Sequence, residues 1–377
     1  MSRIENFRET MRHRKPSDLV LDLGGNPLSG LEGKSHENLM NLFGFTNRPK
    51  ERYLFGKIGR IDERILQCMD IDTRSVGEIL HPEHSQFRFL TEDTYIDEWG
   101  IKRKFTGTYW DIVDPPLKGA SADDLDSYFF PDAESIDRSL IGAMAAEAKK
   151  LWESGEYVVC AEHPVYGIFE LGCWLCGFDD FLMRLFLDEG FVRKLFDKIL
   201  EYQKKVIDLY YGALGGYIHY TSSGDDFAMQ SDLFMPPQTF QKLVKPYLKE
   251  RIDYTKRYTD AYFLHHSCGN VYKIIGDLIE IGVEILNPIQ PVSEEMSPSW
   301  LKQNYGKQIV FHGGIDTQEL LNFGSAAQID ESVHQTVEIL DRDGGYIFAA
   351  AHNIQDDVPP ENIVTMFHAA RKYGRKQ

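Results

Sequence analysis

Residues 261–290 read AYFLHHSCGNVYKIIGDLIEIGVEILNPIQ. Tyr262–His266 is a short aromatic and apolar run, the pattern of a buried strand. Val271–Ile281 carries apolar residues at helical spacing and stops at Gly282, a residue suited to the C-terminal end of a helix. Glu284–Leu286 then returns to a strand pattern. A strand–helix–strand unit of this kind calls for parallel strands joined by a right-handed crossover.

The same alternation runs outward from this unit. Tyr157–Cys160, Tyr217–Tyr220, Gln308–Phe311 and Tyr346–Ala350 are further strand patterns, and Leu19–Leu23 is an earlier one. Phe178–Tyr211, Pro236–Tyr258, Ala326–Leu340 and Pro360–Tyr373 are helical, and Pro298 opens a shorter helix. The pattern predicts an α/β fold of the (β/α)8 TIM barrel type, one domain over residues 1–377 with the barrel across 16–375. Residues 91–119 read differently. Thr94–Phe105 has the look of a hairpin turning at Gly100, and it is expected as an insertion near the barrel mouth.

The composition is that of a globular protein, with 42% hydrophobic and 26% charged residues. A formal net charge of -17 repels nucleic acid and anionic lipid, so neither is expected as a partner. The N-terminal residues are polar and charged, with no apolar signal core, and no apolar run is long enough to span a membrane. The 5 cysteines are an odd number in a long chain, which argues against a secreted disulfide framework. The expected location is the cytoplasm. The sequence leaves the oligomeric state open, a dimer included.

In barrels of this class chemistry sits just past the C-terminal ends of the strands. Those positions are rich in acids, His and Cys: Glu162 and His163, then Asp225 and Asp226, then His265, His266 and Cys268, then His312, Asp316 and His352. His266-Ser267-Cys268 is the sharpest signal, because alternate residues past a strand end point the same way and an imidazole and a thiolate together suit zinc. A third ligand must come from elsewhere, and His352 ends a neighbouring strand pattern. Cys173 and Cys176 lie in an apolar stretch without a second such pair, and are read as buried structural cysteines. Asp225 and Asp226 are the candidate acid/base pair, or else the group that orients a ligand histidine through its free N–H. Glu162, Tyr220, Asn287, Gln290, Asp316 and Asn353 are the candidate substrate-binding residues.

Several of these segments carry a resemblance. Gly224-Asp225-Asp226, Lys245-Pro246-Tyr247-Leu248, His266-Ser267-Cys268-Gly269-Asn270, Asn287-Pro288-Ile289-Gln290-Pro291, Gly313-Gly314-Ile315-Asp316 and His352-Asn353-Ile354 are similar to barrel loops of the uroporphyrinogen decarboxylase superfamily, densest from Tyr157 to Tyr373. The resemblance implies a TIM barrel and one of two chemistries. True decarboxylases act on a tetrapyrrole acid without metal and carry an N-terminal Met-Arg-x-x-Gly-Arg segment. This chain has Met11-Arg12-His13-Arg14 and lacks the Gly-Arg. The other branch, methyltransferases that work with corrinoid proteins, binds zinc through His-x-Cys and a later Cys. His266 and Cys268 match the pair, while His352 stands where that branch has Cys and where decarboxylases also have His.

The resemblance therefore implies a zinc-dependent methyltransferase with His266, Cys268 and His352 as ligands. Two imidazoles and a thiolate leave the ion a net charge of about +1, which suits a weakly basic oxygen. The expected substrate is a small O-methyl compound, and the expected acceptor a corrinoid on a separate protein. None of the 12 histidines follows an Asp two residues earlier, as a corrinoid-binding Asp-x-His-x-x-Gly segment requires. Two alternatives stand beside this reading: a decarboxylase of a uroporphyrinogen-like acid, and a non-catalytic barrel that only binds.

Overall fold

The computed structural model describes residues 1–46, 60–107 and 110–375. Its centre is an eight-stranded sheet of parallel strands, in the order β1-β12-β11-β10-β9-β8-β7-β2. The strands are β1 (Val20–Leu21) and β2 (Thr73–Val76); then, outside the barrel, β3 (Arg88–Thr91), β4 (Thr94–Ile96), β5 (Lys102–Phe105) and β6 (Trp110–Asp114); then β7 (Val158–Ala161), β8 (Tyr220–Gly224), β9 (Tyr262–His266), β10 (Ile285–Ile289), β11 (Val310–Ile315) and β12 (Tyr346–Ala350). The end strands β1 and β2 meet at a seam made by Asp72. Its N–H donates to the Leu21 carbonyl at 3.0 Å, and its carboxylate accepts the Leu21 N–H at 2.8 Å. The sheet is thus a nearly closed (β/α)8 barrel.

The strands are where the apolar runs placed them, with shifts. β9 and β12 match their predicted bounds. Tyr217–Tyr220 is a correction: Tyr217 lies in a 3-10 turn, and the strand begins at Tyr220 and runs on to Gly224. β10 and β11 likewise continue past their apolar halves into Asn287 and into His312-Gly313-Gly314. β2 was not anticipated. Its residues are Thr-Arg-Ser-Val: Thr73 and Ser75 bond to carboxylates of other strand ends, and Arg74 pairs with Glu63 and stacks over Tyr157 at 3.7 Å. Phe178–Tyr211 divides into helices Phe178–Leu187 and Glu189–Leu214, the second opened by the Asp188 side chain on the Phe191 N–H.

Alternation along the strands gives the barrel two unlike faces. Leu21, Val159, Phe263, Leu286, Phe311 and Phe348 point outward into the large core shared with the helices. Val20, Val158, Cys160, Tyr220, Leu264, Ile285, Val310 and Ile347 point inward and form a separate buried cluster. Phe7 and Met11 complete that cluster from the N-terminal helix Arg3–Met11. This helix starts with a capping box between Ser2 and Glu5, and it plugs the floor of the barrel.

The expected hairpin is present as β4 and β5, joined across Gly100, and it is the middle of a four-stranded antiparallel sheet β3-β4-β5-β6. The insertion therefore begins by Arg88, earlier than residue 91. Asp97 fixes the turn by accepting the Trp99 and Ile101 N–H groups, and pairs with Arg103 at 2.9 Å. Arg103 lies over the Trp174 ring at 4.9 Å, which leans the sheet on helix Ile168–Cys176 beside the strand ends. Among the described residues no helix is long and apolar enough to cross a membrane.

Candidate metal centre

Two residues further along, the inward-facing positions stop being apolar. Leu264 is followed by His266, Ile285 by Asn287, Val310 by His312 and Val20 by Asp22. All four are buried. Polar groups so placed must find partners, since each unpaired one costs ~1–3 kcal/mol.

His266 leads this set. Its Nδ1 donates to the Asn287 Oδ1, so the lone pair of Nε2 is turned toward the mouth. Cys268 Sγ lies 3.3 Å from that Nε2. The His352 ring comes from the loop after β12, with its centroid 5.6 Å from the His266 ring. One ligand atom from each of His266, Cys268 and His352 falls within 4.8 Å of the others. Bonds of about 2.0–2.3 Å to a tetrahedral ion put ligand atoms roughly 3.3–3.8 Å apart, so the three fit a zinc ion after small adjustments.

The electrostatics agree with that fit. Burial pushes His352 down to about 4, with His266 adding to the effect against Asp226, so both its nitrogens cannot be protonated at neutral pH. Burial raises the Cys268 thiol, and the carboxylates of Asp226 and Glu170 raise it further. Without a cation the sulfur holds its proton. A divalent ion reverses this by stabilising the thiolate.

The two aspartates have different tasks. Asp226 Oδ1 accepts the Cys268 N–H at 2.7 Å and stands 3.6 Å from His266 Nε2. Asp225 spends both oxygens on the Phe169 and Glu170 N–H groups, at 3.0 and 2.8 Å, and so holds the start of helix Ile168–Cys176. Gly167 makes this approach available, since a Cβ there would collide with the Asp225 carboxylate. For His266 the acceptor of the free N–H is Asn287 and neither Asp225 nor Asp226.

The remaining predicted residues divide between the mouth and the scaffold. Glu162 accepts the Ser75 hydroxyl at 2.6 Å, and burial pushes it up to about 7 against the pull of Ser75 and Arg60. Gln290 accepts the Gly269 N–H just past Cys268. Tyr220 is fully buried in the floor, stacked on Phe7 at 5.7 Å. Asp316 caps the next turn by accepting the Gln318, Glu319 and Leu320 N–H groups. Asn353 accepts the Gly30 N–H at 2.7 Å and ties the last loop to the first. Asn287, Asp316 and Asn353 thus bond within the protein, as Glu162 and Gln290 do, while Tyr220 lies in the floor with its hydroxyl without a partner among the described residues.

Sequence reasoning passed over Glu170 and gave His163 no role. The Glu170 carboxyl is raised well above the usual range by burial, then by Asp226 and Asp225. His163 is buried next to Gly224 with its Nδ1 unpartnered. Burial, then Arg251 and His266, push it down to about 3. Cys173 and Cys176 are fully buried and free of disulfides, as expected.

Comparison with known proteins adds the lineage. Residues 160–373 match the family described as Uroporphyrinogen decarboxylase (URO-D). The chain belongs to the uroporphyrinogen decarboxylase family, a family of enzymes. The match covers more than half of the chain, from β7 to the last helix, and so includes all three converging donors. No curated protein matches the chain in sequence. Among solved structures, a methyltransferase from Methanosarcina mazei is similar over 99% of this chain and 99% of that one, with a TM-score of 0.68 and 14% identity. At that identity the likeness concerns the fold. Xylanase B from Clostridium stercorarium F9 (61% of this chain, 82% of that one, 10% identity, TM-score 0.37) is far weaker. So is a glycoside hydrolase family 5 enzyme from Prevotella bryantii B14 (63% of this chain, 78% of that one, 12% identity, TM-score 0.38). Neither of these two carries an argument.

Proposed function

We propose that this chain is a zinc-dependent methyltransferase that moves a methyl group from a small O-methyl compound to a corrinoid held by a separate protein. The observation that carries the reading is the convergence of His266, Cys268 and His352 within 4.8 Å at the mouth of the barrel. The full-length likeness in fold to a methyltransferase supports it. Zinc in that position supplies Lewis acidity to the oxygen that bears the methyl group.

The chain's own groups do the rest. His266 and His352 present neutral nitrogens and Cys268 the single anionic ligand. Asp226 holds the Cys268 backbone in place. An ether oxygen that loses its methyl group leaves as an alcohol and takes up one proton. Glu170, kept protonated by burial beside Asp226, is the group placed to give it, with Asp226 as its partner carboxylate. Glu162 and Gln290 flank the mouth for the substrate's polar groups.

The decarboxylase reading is less well served. A tetrapyrrole acid needs guanidinium groups free to grip its carboxylates. Arg60, Arg103 and Arg251 each already face an acid of their own chain, namely Glu147, Asp97 and Asp225.

The test is metal analysis joined to two assays. Protein purified without chelator and supplied with zinc is expected to hold one ion per chain and to demethylate methoxy compounds in the presence of cob(I)alamin. Coproporphyrinogen formed from uroporphyrinogen under anaerobic conditions, or protein that holds no zinc, would overturn the proposal.

A further inference from the structure

The hydrogen bond that orients His266 does not end at Asn287. The Asn287 Nδ2 meets His312 Nδ1 at 2.7 Å, and His312 Nε2 meets Asp22 Oδ2 at 2.7 Å. His266, Asn287, His312 and Asp22 come from four different strand ends, and all four are buried. They form one line of hydrogen bonds across the interior of the barrel, from the mouth to the first strand.

The far end of that line has a fixed polarity. Asp22 accepts the Gly25 N–H at 2.8 Å, a group that can only donate. A Cβ at Gly25 would collide with Asp22, so the glycine is what lets the backbone come so close. Ser29 Oγ, at 2.6 Å, and Thr73 Oγ1 also bond to its two oxygens. Burial raises Asp22, yet the groups around it, His312 first, outweigh burial and hold it below the ordinary carboxylate range. Asp22 is therefore an acceptor on every side.

Each following link has one consistent state. An acceptor at Asp22 requires Nε2–H on His312. The Asn287 NH2 on the other side can only donate, so His312 Nδ1 carries the lone pair. The amide oxygen of Asn287 then faces His266 and requires Nδ1–H there. The only lone pair left on the His266 ring is on Nε2, where Cys268 and His352 converge. We infer that Asp22, His312 and Asn287 are positioning residues that fix, from the first strand, the ring tautomer in which His266 can act as a metal ligand. This inference rests on the metal reading above for its purpose, but not for its geometry.

Reversing the charge pattern at Asp22 is then expected to reverse every link. In Asp22→Asn, the Gly25 N–H keeps the amide oxygen on its own side. The new NH2 faces His312 and Ser29, and Ser29 accepts. His312 must now accept at Nε2 and donate from Nδ1. Asn287 turns over, and His266 is left with its proton on Nε2, where no metal can bind. A second substitution repairs this. In Asp22→Asn/Asn287→Asp, the carboxylate at 287 accepts from both His312 and His266, and His266 regains Nδ1–H.

The experiment uses full-length protein with ¹⁵N-labelled histidine. Long-range ¹H–¹⁵N spectra of the metal-free form report which ring nitrogen carries the proton, with His266 assigned by its loss in His266→Gln. Zinc affinity is measured by competition with a chelator. The wild type is expected to show His266 protonated on Nδ1. Asp22→Asn is expected to show it on Nε2, with zinc bound about 10–100-fold more weakly. The double variant is expected to recover the tautomer and most of the affinity. A purely structural role for Asp22 predicts the opposite, that the second substitution adds to the damage.

Should Asp22→Asn fail to fold, the wild-type spectrum alone still decides. In it His312 is expected to carry its proton on Nε2 and His266 on Nδ1. A wild-type His312 with its proton on Nδ1 and not on Nε2, or a wild-type His266 protonated on Nε2, overturns the relay. So does a folded Asp22→Asn in which the His266 tautomer is unchanged, or a double variant no better than the single one. Wild-type protein that takes up no zinc overturns the metal reading instead, and the spectra of the metal-free protein still decide the relay.

Discussion

The inside of this barrel is two regions separated by two residues of strand. Below, Val20, Leu264, Ile285 and Val310 close around Phe7 and Met11 through apolar side chains. Above, Asp22, His266, Asn287 and His312 are equally buried and are joined end to end by hydrogen bonds. The same four strands supply both. The lower region depends on shape and on apolar area removed from water. The upper region depends on each group having the right partner in the right protonation state. A change below should therefore act on stability, and a change above on chemistry, although the two regions touch.

The largest expected effect comes from carrying the upper chemistry downward. Leu264→Asp places a carboxylate among the apolar side chains of Val20, Ile285 and Val310. Breaking the partnership of a buried charge costs about 3–5 kcal/mol, and here the lost packing of the leucine adds to that. The variant is expected to be unfolded or to lose most of its urea midpoint. A midpoint within about 1 kcal/mol of wild type would mean that water reaches the floor, and the contrast between the two regions would fail.

How far the sequence reached follows the same division. The strands with apolar inward and outward faces were legible, because burial leaves a run of apolar residues. β2 was not, because Thr73 and Ser75 face the polar region and Arg74 covers its outer side through Glu63 and Tyr157. The N-terminal helix read as a polar lead-in, since only Phe7 and Met11 of its apolar side reach the floor. His266 and Cys268 were visible as a spaced pair within one segment. Their link to Asn287, His312 and Asp22 was not, since it depends on which strands are neighbours. One clue was present: Asp22 interrupts the apolar run Leu19–Leu23, and an acid inside a strand must be paired or exposed.

The next effect in size is confined to the upper region. Cys268→Ala deletes the only anionic ligand, and is expected to abolish stoichiometric zinc while leaving the unfolding midpoint of the metal-free protein within about 1 kcal/mol of wild type. His352→Ala removes a neutral ligand and should weaken zinc by about 100-fold, at the upper end of what loss of a supporting group does. Chelator competition and urea unfolding on the same preparations measure both halves. Cys173→Ala and Cys176→Ala serve as controls, since those side chains are sealed in the core and should leave metal content unchanged. Equal zinc in Cys268→Ala and wild type would break the assignment of the site.

The smallest effect is the pH dependence of zinc binding, and it separates the ligands by type. A group that must lose a proton to bind contributes a tenfold change in affinity per pH unit wherever it is still protonated. His352 is pushed down to about 4 by burial, then by His266, so it is already neutral between pH 6 and 8 and contributes nothing there. The Cys268 thiol is pushed up by burial, then by Asp226 and Glu170, so it keeps its proton across that whole window until the ion displaces it. The thiol is therefore expected to make zinc affinity rise about tenfold per pH unit from 6 to 8, giving up one proton per ion bound. Any residual affinity in Cys268→Ala should lack the part of the slope that the thiol supplies. Calorimetry in buffers of different ionisation enthalpy counts the protons directly. An affinity that stays flat over this range, or no proton released per ion, would show that the sulfur is already a thiolate before binding. Burial would then not set the protonation of the upper region, and the likeness between the two regions, that both are dry, would be lost.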